Sequence, residues 1–218
     1  MPRRDTGLTL GEMVTALVIT SVIGLAVGGV SIALSRAHEQ SEEYYRYLQS
    51  GRVASSRLEA LLRQSQLVTA ADQGALVLWM GDTNGDGGIS IAELQRVYFD
   101  SSTGQLFQRT VEVPSSVKGW LKKLVDPSVT LSSVTQATVA SDVLGWSAYD
   151  IQRVLATDVK AFVVRPDAPA PLAKFVSFRI DIGGQDKSVT IVGGGAVRAE
   201  KTGWVGMSDG QYVLQPPQ

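Results

Sequence analysis

The chain of 218 residues contains no cysteine and a single histidine, His38. Without cysteine there is no disulfide, no thiolate metal site and no sulfur nucleophile. One histidine leaves nothing to build the usual acid–base constellations from. Missing cysteines do not by themselves fix a redox compartment, because exported domains also do without them. Proline is absent from residues 3 to 113, so no ring enforces a helix stop in the first half of the chain. An excess of either charge is lacking too: the net charge is −1, and removing Arg3, Arg4 and Asp5 with the rest of residues 1–7 leaves −2. Such a balance gives no electrostatic footprint for nucleic acid. Most informative is the absence of any charged side chain from Met13 to Ser35, a run long enough to cross a bilayer as a helix.

A lone carboxylate, Glu12, stands at the mouth of that run, after Arg3-Arg4-Asp5-Thr6-Gly7 and Leu8-Thr9-Leu10-Gly11. Burying a carboxylate in hydrocarbon costs about 2.5–3.5 kcal/mol or more, so Glu12 is either drawn to the interface or kept for a positively charged partner. A cleaved secretory signal has an apolar stretch of only about 7–15 residues, too short for this one, although Ala33-Leu34-Ser35 has the small residues of a cleavage site. A plain anchor suffices for length but explains neither Glu12 nor the glycine-ended basic leader. Arg3 and Arg4 ahead of the span place the N-terminus in the cytoplasm by the positive-inside rule.

The block Gly7-Leu8-Thr9-Leu10-Gly11-Glu12-Met13-Val14 resembles the class III signal of type IV pilins and type II secretion pseudopilins. The resemblance implies cleavage by prepilin peptidase after Gly7 and methylation of the new N-terminal Leu8. It also makes Glu12 the fifth mature residue, which in the family neutralises the N-terminal amine of a neighbouring subunit during assembly. Leu8 stands where the family has Phe, and Gly11 where it has an aliphatic residue. Gly24 and Gly28 form a small-xxx-small pair that lets helices approach in lipid. Gly28-Gly29 is a weak helical spot where many pilins carry a helix-breaking proline, although glycine is common in membrane helices generally.

Beyond Ser35 the spacing of Tyr44, Tyr47/Leu48, Gly51, Ala54/Ser55, Leu58 and Leu61/Leu62 predicts that the helix continues with one apolar stripe, the charges falling elsewhere. From Leu8 to about Gln66 this is a helix of roughly 85–90 Å. Strands are predicted at Leu76–Trp79, Arg96–Phe99, Gln105–Val111, Val159–Val164, Phe175–Ile182 and Ser188–Val192, with a hairpin at Asp100–Gly104 and a connection at Gly183–Asp186. Val117–Val125 and Tyr149–Leu155 read as helical, Thr130–Ser141 is ambiguous, Arg165–Pro171 is a loop, and Gln215–Gln218 is a frayed end. The fold class is α+β: a long N-terminal helix, membrane-spanning in its first half, packed in its second half on an antiparallel sheet, the pilin ground plan. The divisions are a leader at 1–7, a transmembrane helix at 8–35, an amphipathic continuation at 36–66 and a β-rich head at 67–218.

The segment Asp82-Thr83-Asn84-Gly85-Asp86-Gly87-Gly88-Ile89-Ser90-Ile91-Ala92-Glu93 matches the EF-hand calcium loop, with oxygen donors at positions one, three and five, glycine at six, an apolar residue at eight, serine at nine and glutamate at twelve. Asp82, Asn84 and Asp86 offer side-chain oxygens, Gly88 a carbonyl, Ser90 a hydroxyl or a bridging water, and Glu93 both carboxylate oxygens, while Gly87 allows the turn. The segment entering the loop reads as a strand, so this is a calcium loop set in a sheet connection, or else a polar turn that binds nothing. With few charges and no paired loop, calcium as cofactor sits near the weak end, about 10⁻⁴–10⁻³ M. Its role is to pin the loop, as the resemblance also implies.

No catalytic residues are identified. Asp142, Asp150, Asp158, Asp167 and Asp181 are scattered, and Gly193-Gly194-Gly195 lacks the lysine of a phosphate loop and reads as a flexible connection. What the resemblance implies is a minor pseudopilin, similar in size to the larger J-type subunits, in the bacterial inner membrane with its head in the periplasm. Its partners would be other pseudopilins, prepilin peptidase and the inner-membrane assembly platform. The alternatives are a minor pilin of a type IV pilus or competence filament, and a membrane-anchored calcium-binding protein that does not assemble.

Overall fold

A computed structural model describes residues 9–134, 149–184, 187–198 and 201–215. Helix α1 runs from Leu10 to Gln64 without a break. Residues through Tyr45 form one compact unit and those from Arg46 onward a second. In the first unit every described side chain is exposed, Leu10 and Leu25 at 84% and 78%. By length and composition α1 is apolar enough to cross a membrane. Three of its hydroxyls bond back to the helix: Thr15, Thr20 and Ser21 donate to the carbonyls of Gly11, Ala16 and Leu17 at 2.7–2.8 Å. That bonding pairs these three donors without water.

In the second unit α1 buries Tyr47, Gly51, Ala54, Ser55, Leu58, Leu61 and Leu62. Apart from Tyr44, exposed at 43%, and Leu48, half-buried, these are the residues of the predicted stripe. Among the described residues after α1, every strand pairing is antiparallel. Strands β1 (Leu67–Asp72), β2 (Ala75–Trp79), β4 (Leu94–Asp100), β5 (Gln105–Val111) and β7 (Asp150–Ala156) form a five-stranded sheet in the order β1-β2-β4-β5-β7. Strands β8 (Val159–Pro166), β9 (Phe175–Gly183) and β10 (Ser188–Ala196) form a second sheet in the order β10-β9-β8. Short β3 (Ile89–Ser90) pairs with β6 (Ser128–Val129), and β11 (Val205–Ser208) with β12 (Gln211–Leu214).

Two apolar clusters flank β2, which is buried along its whole length. Leu76 and Leu78 turn to the cluster that holds Leu58 and Leu62 of α1 with Phe162, Phe178 and Ile180. Val77 and Trp79 turn to the other, with Ile89, Ile91, Leu94 and residues of helix α3 (Leu131–Val134). Period-two alternation divides the strand between both cores. The result is the α+β architecture expected, with antiparallel sheets behind an apolar helix.

Several local expectations need correction. Tyr149–Leu155, read as helical, falls in β7 from Asp150 onward: Ile151, Val154 and Leu155 mimic helical spacing, but the edge of β5 offers a ladder from Val111↔Asp150 to Leu106↔Ala156, and pairing overrides propensity. Arg109 closes it, donating through Nε to Asp150 at 2.6 Å. The predicted helix at Val117–Val125 shrinks to α2 (Trp120–Val125). Gly193–Gly195 is not a loose connection but part of β10. Strands β1, β3, β6, β11 and β12 lie outside the predicted ones. The hairpin at Asp100–Gly104 stands as expected, with Ser102 and Thr103 hydroxyls, Ser102 foremost, holding the Asp100 carboxyl below the usual carboxylate range. Arg3, Arg4, Gly7, Leu8, Asp142, Gln185, Asp186 and Pro216–Gln218, together with most of Thr130–Ser141, lie outside the described residues.

The glycines of β10 seat the helix. A Cβ on Gly193 would lie 2.8 Å from Ser55 Oγ, one on Gly195 3.1 Å from Leu62 Cβ, and one on Gly51 of the helix 2.6 Å from Ile191 Cγ1. Small residue meets larger residue on both sides of the seam. We therefore expect Gly51→Val to lower the head's stability by about 1–3 kcal/mol through overpacking, read as a shifted urea midpoint of the full chain in detergent. Gly28→Val, whose Cβ would meet nothing within 4 Å, leaves that midpoint in place. Equal midpoints for the two variants would contradict the seam.

Candidate functional site

The helix start and the loop between β2 and β3 carry the residues singled out in the sequence. At the helix start, Glu12 Oε2 accepts the Thr9 backbone N–H at 2.9 Å and the Thr9 hydroxyl at 3.1 Å, while Thr9 Oγ1 lies 3.4 Å from the Glu12 N–H. This is a reciprocal capping box, in which two otherwise orphaned donors of the first turn find acceptors. The Thr-x-x-Glu spacing ahead of an apolar run is its signal in the sequence. Glu12 thus has a bonding partner within its own chain.

The first half of the loop is folded on its own side-chain oxygens. Asp82 Oδ1 accepts the N–H groups of Gly85 at 2.6 Å and Asp86 at 3.2 Å, and Oδ2 that of Gly87 at 2.8 Å. Asn84 Oδ1 accepts from Asp86 N–H at 2.9 Å, and Asp86 Oδ1 from Gly88 N–H at 2.7 Å. Gly85 and Gly87 both adopt φ +75°, the left-handed region in which glycine is unstrained. These bonds curl the backbone around its own oxygens, the nested turns that short polar side chains favour. Asn84 Nδ2 in turn donates to Asp86 Oδ2 at 3.0 Å.

Glu93 is placed differently from the expected shell-closing ligand. It is 2% exposed, and protein donors occupy both of its oxygens. Oε2 accepts the Trp79 indole N–H and the Ser90 N–H, both at 3.1 Å. Oε1 accepts the Thr83 N–H at 2.6 Å, the Thr83 hydroxyl at 3.1 Å and the Asn84 N–H at 3.3 Å. A carboxylate has about four lone-pair sites, so these five donors leave no free pair for bidentate coordination. Among the described residues no three His, Cys, Asp or Glu side chains are gathered to hold a metal ion. The donors of the first half fit a hard oxygen-seeking cation in type and in turn geometry, and Glu93 as placed does not. Ser90 belongs to β3, and its hydroxyl is buried without a hydrogen-bond partner.

The loop leans on the segment that follows β5. Asp126 Oδ1 accepts the Ala92 N–H at 2.8 Å, and Asn84, Asp86, Lys122, Lys123 and Asp126 line an open cleft of about 430 Å3. The lysines border the loop's outer carboxylate, a feature that sequence distance concealed. The scattered aspartates have local work: Asp167 accepts the N–H groups of Lys174 and Phe175 at 2.9 and 3.1 Å, and Asp181 the Thr190 hydroxyl at 2.7 Å. His38 sits 3.1 Å from Glu42 on an exposed turn of α1. No protein-family model and no curated protein matches the chain.

The bonding of Glu93 makes it a strut independent of any cation. Glu93→Gln keeps the shape but turns an amide toward N–H donors, and each buried donor left unpaired costs about 1–3 kcal/mol. The expected outcome is a lower urea midpoint with chelator present, whereas Asp86→Asn, on the exposed rim, leaves that midpoint alone. An unchanged Glu93→Gln midpoint would show that the strut carries no stability.

Proposed function

We propose that the chain is a pilin-like subunit, a minor pseudopilin of a type II secretion filament with a structural role in protein export and no catalytic activity. The observation that carries this reading is one unbroken helix, Leu10–Gln64. It opens at Glu12, exposes only uncharged residues from Met13 to Ser35 and ends as the buried stripe beneath antiparallel sheets. An apolar face with no partner in its own chain asks for lipid or for copies of itself. The block from Gly7 to Val14 supports the second. In this reading Leu8 becomes the methylated N-terminus, and Glu12 exchanges its bond to Thr9 for the amine of a neighbouring subunit. The anchor lies in the bacterial inner membrane with the N-terminus in the cytoplasm, and the head faces the periplasm. Partners are other pseudopilins, prepilin peptidase and the assembly platform.

The capping box favours a second reading, a membrane-anchored protein that does not assemble, because it gives Glu12 a use without neighbours. A minor pilin of a type IV pilus shares every feature named here and differs in the machine it serves. The N-terminal sequence and mass of the protein from its native membrane separate the classes. A methylated Leu8 start is expected, with Glu12→Leu inserting normally yet failing to enter filaments. An intact leader, or normal assembly of Glu12→Leu, refutes the filament reading.

The loop completes the proposal as a calcium site: Asp82, Asn84, Asp86 and the Gly88 carbonyl hold the ion, Ser90 adds its hydroxyl, and Glu93 joins only by releasing its protein donors. Bound calcium would supply positive charge that pins the exposed turn. Because Trp79 bonds Glu93, terbium in the loop is expected to luminesce on tryptophan excitation and to be displaced by calcium. Asp82→Ala abolishes the signal. Equal luminescence from Asp82→Ala would place the ion elsewhere, and no signal from the intact chain would leave a polar turn.

A further inference from the structure

Strand β10 is the open edge of the second sheet: β9 pairs with one side of it, and among the described residues no strand pairs with the other. Sheets guard such edges with charge, proline or a bulge. Residues Ser188–Ala196 contain neither a charged side chain nor a proline, and their register with β9 runs unshifted from Ser188↔Gly183 to Ala196↔Phe175. Helix α1 covers the inner face at Gly193 and Gly195, whereas on the outer face Val192 is 71% exposed. Register sets Val163, Arg179 and Val192 side by side across the three strands, with Arg165 and Ser177 in the next row. These five residues and Phe178 line a depression of about 220 Å3. Arg179 Nε lies 3.3 Å from Asp181 Oδ2, while Arg165 meets no carboxylate among the described residues. Two guanidiniums therefore share one carboxylate on this face.

We propose that β10 accepts an extended, acidic segment of a partner protein as a fourth strand, whose outward carboxylates meet Arg179 with Arg165 behind it. In strand addition the backbone ladder supplies affinity and the alternate side chains supply selectivity. The nine residues of β10 offer the ladder without a charge of their own to repel a newcomer. Arg179 stands on the strand next to the edge, about 10 Å from an added strand at a spacing of about 4.8 Å per strand. An arginine and a glutamate span that gap together. Charge decides the occupant: pairing β10 with β10 of a second copy would gather four guanidiniums on one face, whereas a carboxylate takes two parallel N–H bonds from a guanidinium. Val192 and Val163 add an apolar floor for the stems of the incoming side chains.

The probe is a blocked, fluorescein-labelled peptide, Thr-Val-Thr-Glu-Thr-Glu-Thr-Val-Thr, added to the full chain in zwitterionic micelles. A rise in anisotropy is expected, with slowed backbone hydrogen exchange over Ser188–Ala196. Two control peptides bind at least about tenfold more weakly: one with lysine in place of glutamate, and one with the three central threonines replaced by proline, which keeps the charge but cannot ladder. Arg165→Gln combined with Arg179→Gln weakens the glutamate peptide about tenfold, the worth of two half-exposed ion pairs, and does not weaken the lysine peptide. No binding of the glutamate peptide overturns the proposal, as does equal binding of the lysine or proline peptide, or protection away from β10. Protection of β10 that grows with protein concentration in the absence of peptide assigns the edge to a second copy and overturns it too.

Discussion

The close approach of helix and strand along the α1–β10 seam governs the architecture of the head. Gly193 and Gly195 present bare backbone where Ser55 and Leu62 arrive, and Gly51 yields to Ile191 from the opposite side. Only because those positions lack side chains can the stripe from Tyr47 to Leu62 reach the cluster shared with Phe162, Phe178 and Ile180. Without that seat, the second half of the helix would face water with an apolar stripe, and the second sheet would lose the cover of its inner face. The five-stranded sheet depends on the same contact at one remove, because Leu76 and Leu78 of β2 complete the cluster that the helix closes.

The two halves of α1 are satisfied by different means. Between Met13 and Ser35 the hydroxyls of Thr15, Thr20 and Ser21 bond back to the helix itself, which suits a medium that offers no hydrogen bonds. From Tyr47 onward the helix relies on shape, with small side chains at the seam and leucines where the sheets leave room. Glu12 belongs to neither regime. Its bond to Thr9 serves the helix end, and the same carboxylate is the one charge at the mouth of the apolar run.

The helix and the central strands were legible because their signals are local. A charge-free run, a stripe at three- and four-residue spacing and alternating β-branched residues each arise within one element, and α1, β2, β4, β5, β8 and β9 follow them closely. What escaped depends on distant partners. Tyr149–Leu155 became a strand because β5 had an unpaired edge, and the glycines of β10 read as slack because their reason, the helix backbone, lies well over a hundred residues earlier in the chain. In the loop, the oxygen pattern and the left-handed glycines were readable from spacing. The inward turn of Glu93 was not, since it answers to the indole of Trp79, a residue that belongs to the strand before the loop and to the core behind it.

That inward turn also changes how the loop can be attacked. A protease must draw an extended stretch of backbone into its cleft, and the glycine-rich run from Gly85 to Gly88, exposed in its first half, has the composition of a preferred cutting site. Glu93, however, grips the backbone N–H groups of Thr83 and Asn84 before that run and of Ser90 beyond it, while Asp82 holds three N–H groups inside it. The loop is thereby a closed ring of hydrogen bonds. Extending any part of it means breaking several bonds together and uncovering the indole of Trp79, so the softest-looking piece of sequence in the head is one of the harder ones to cut.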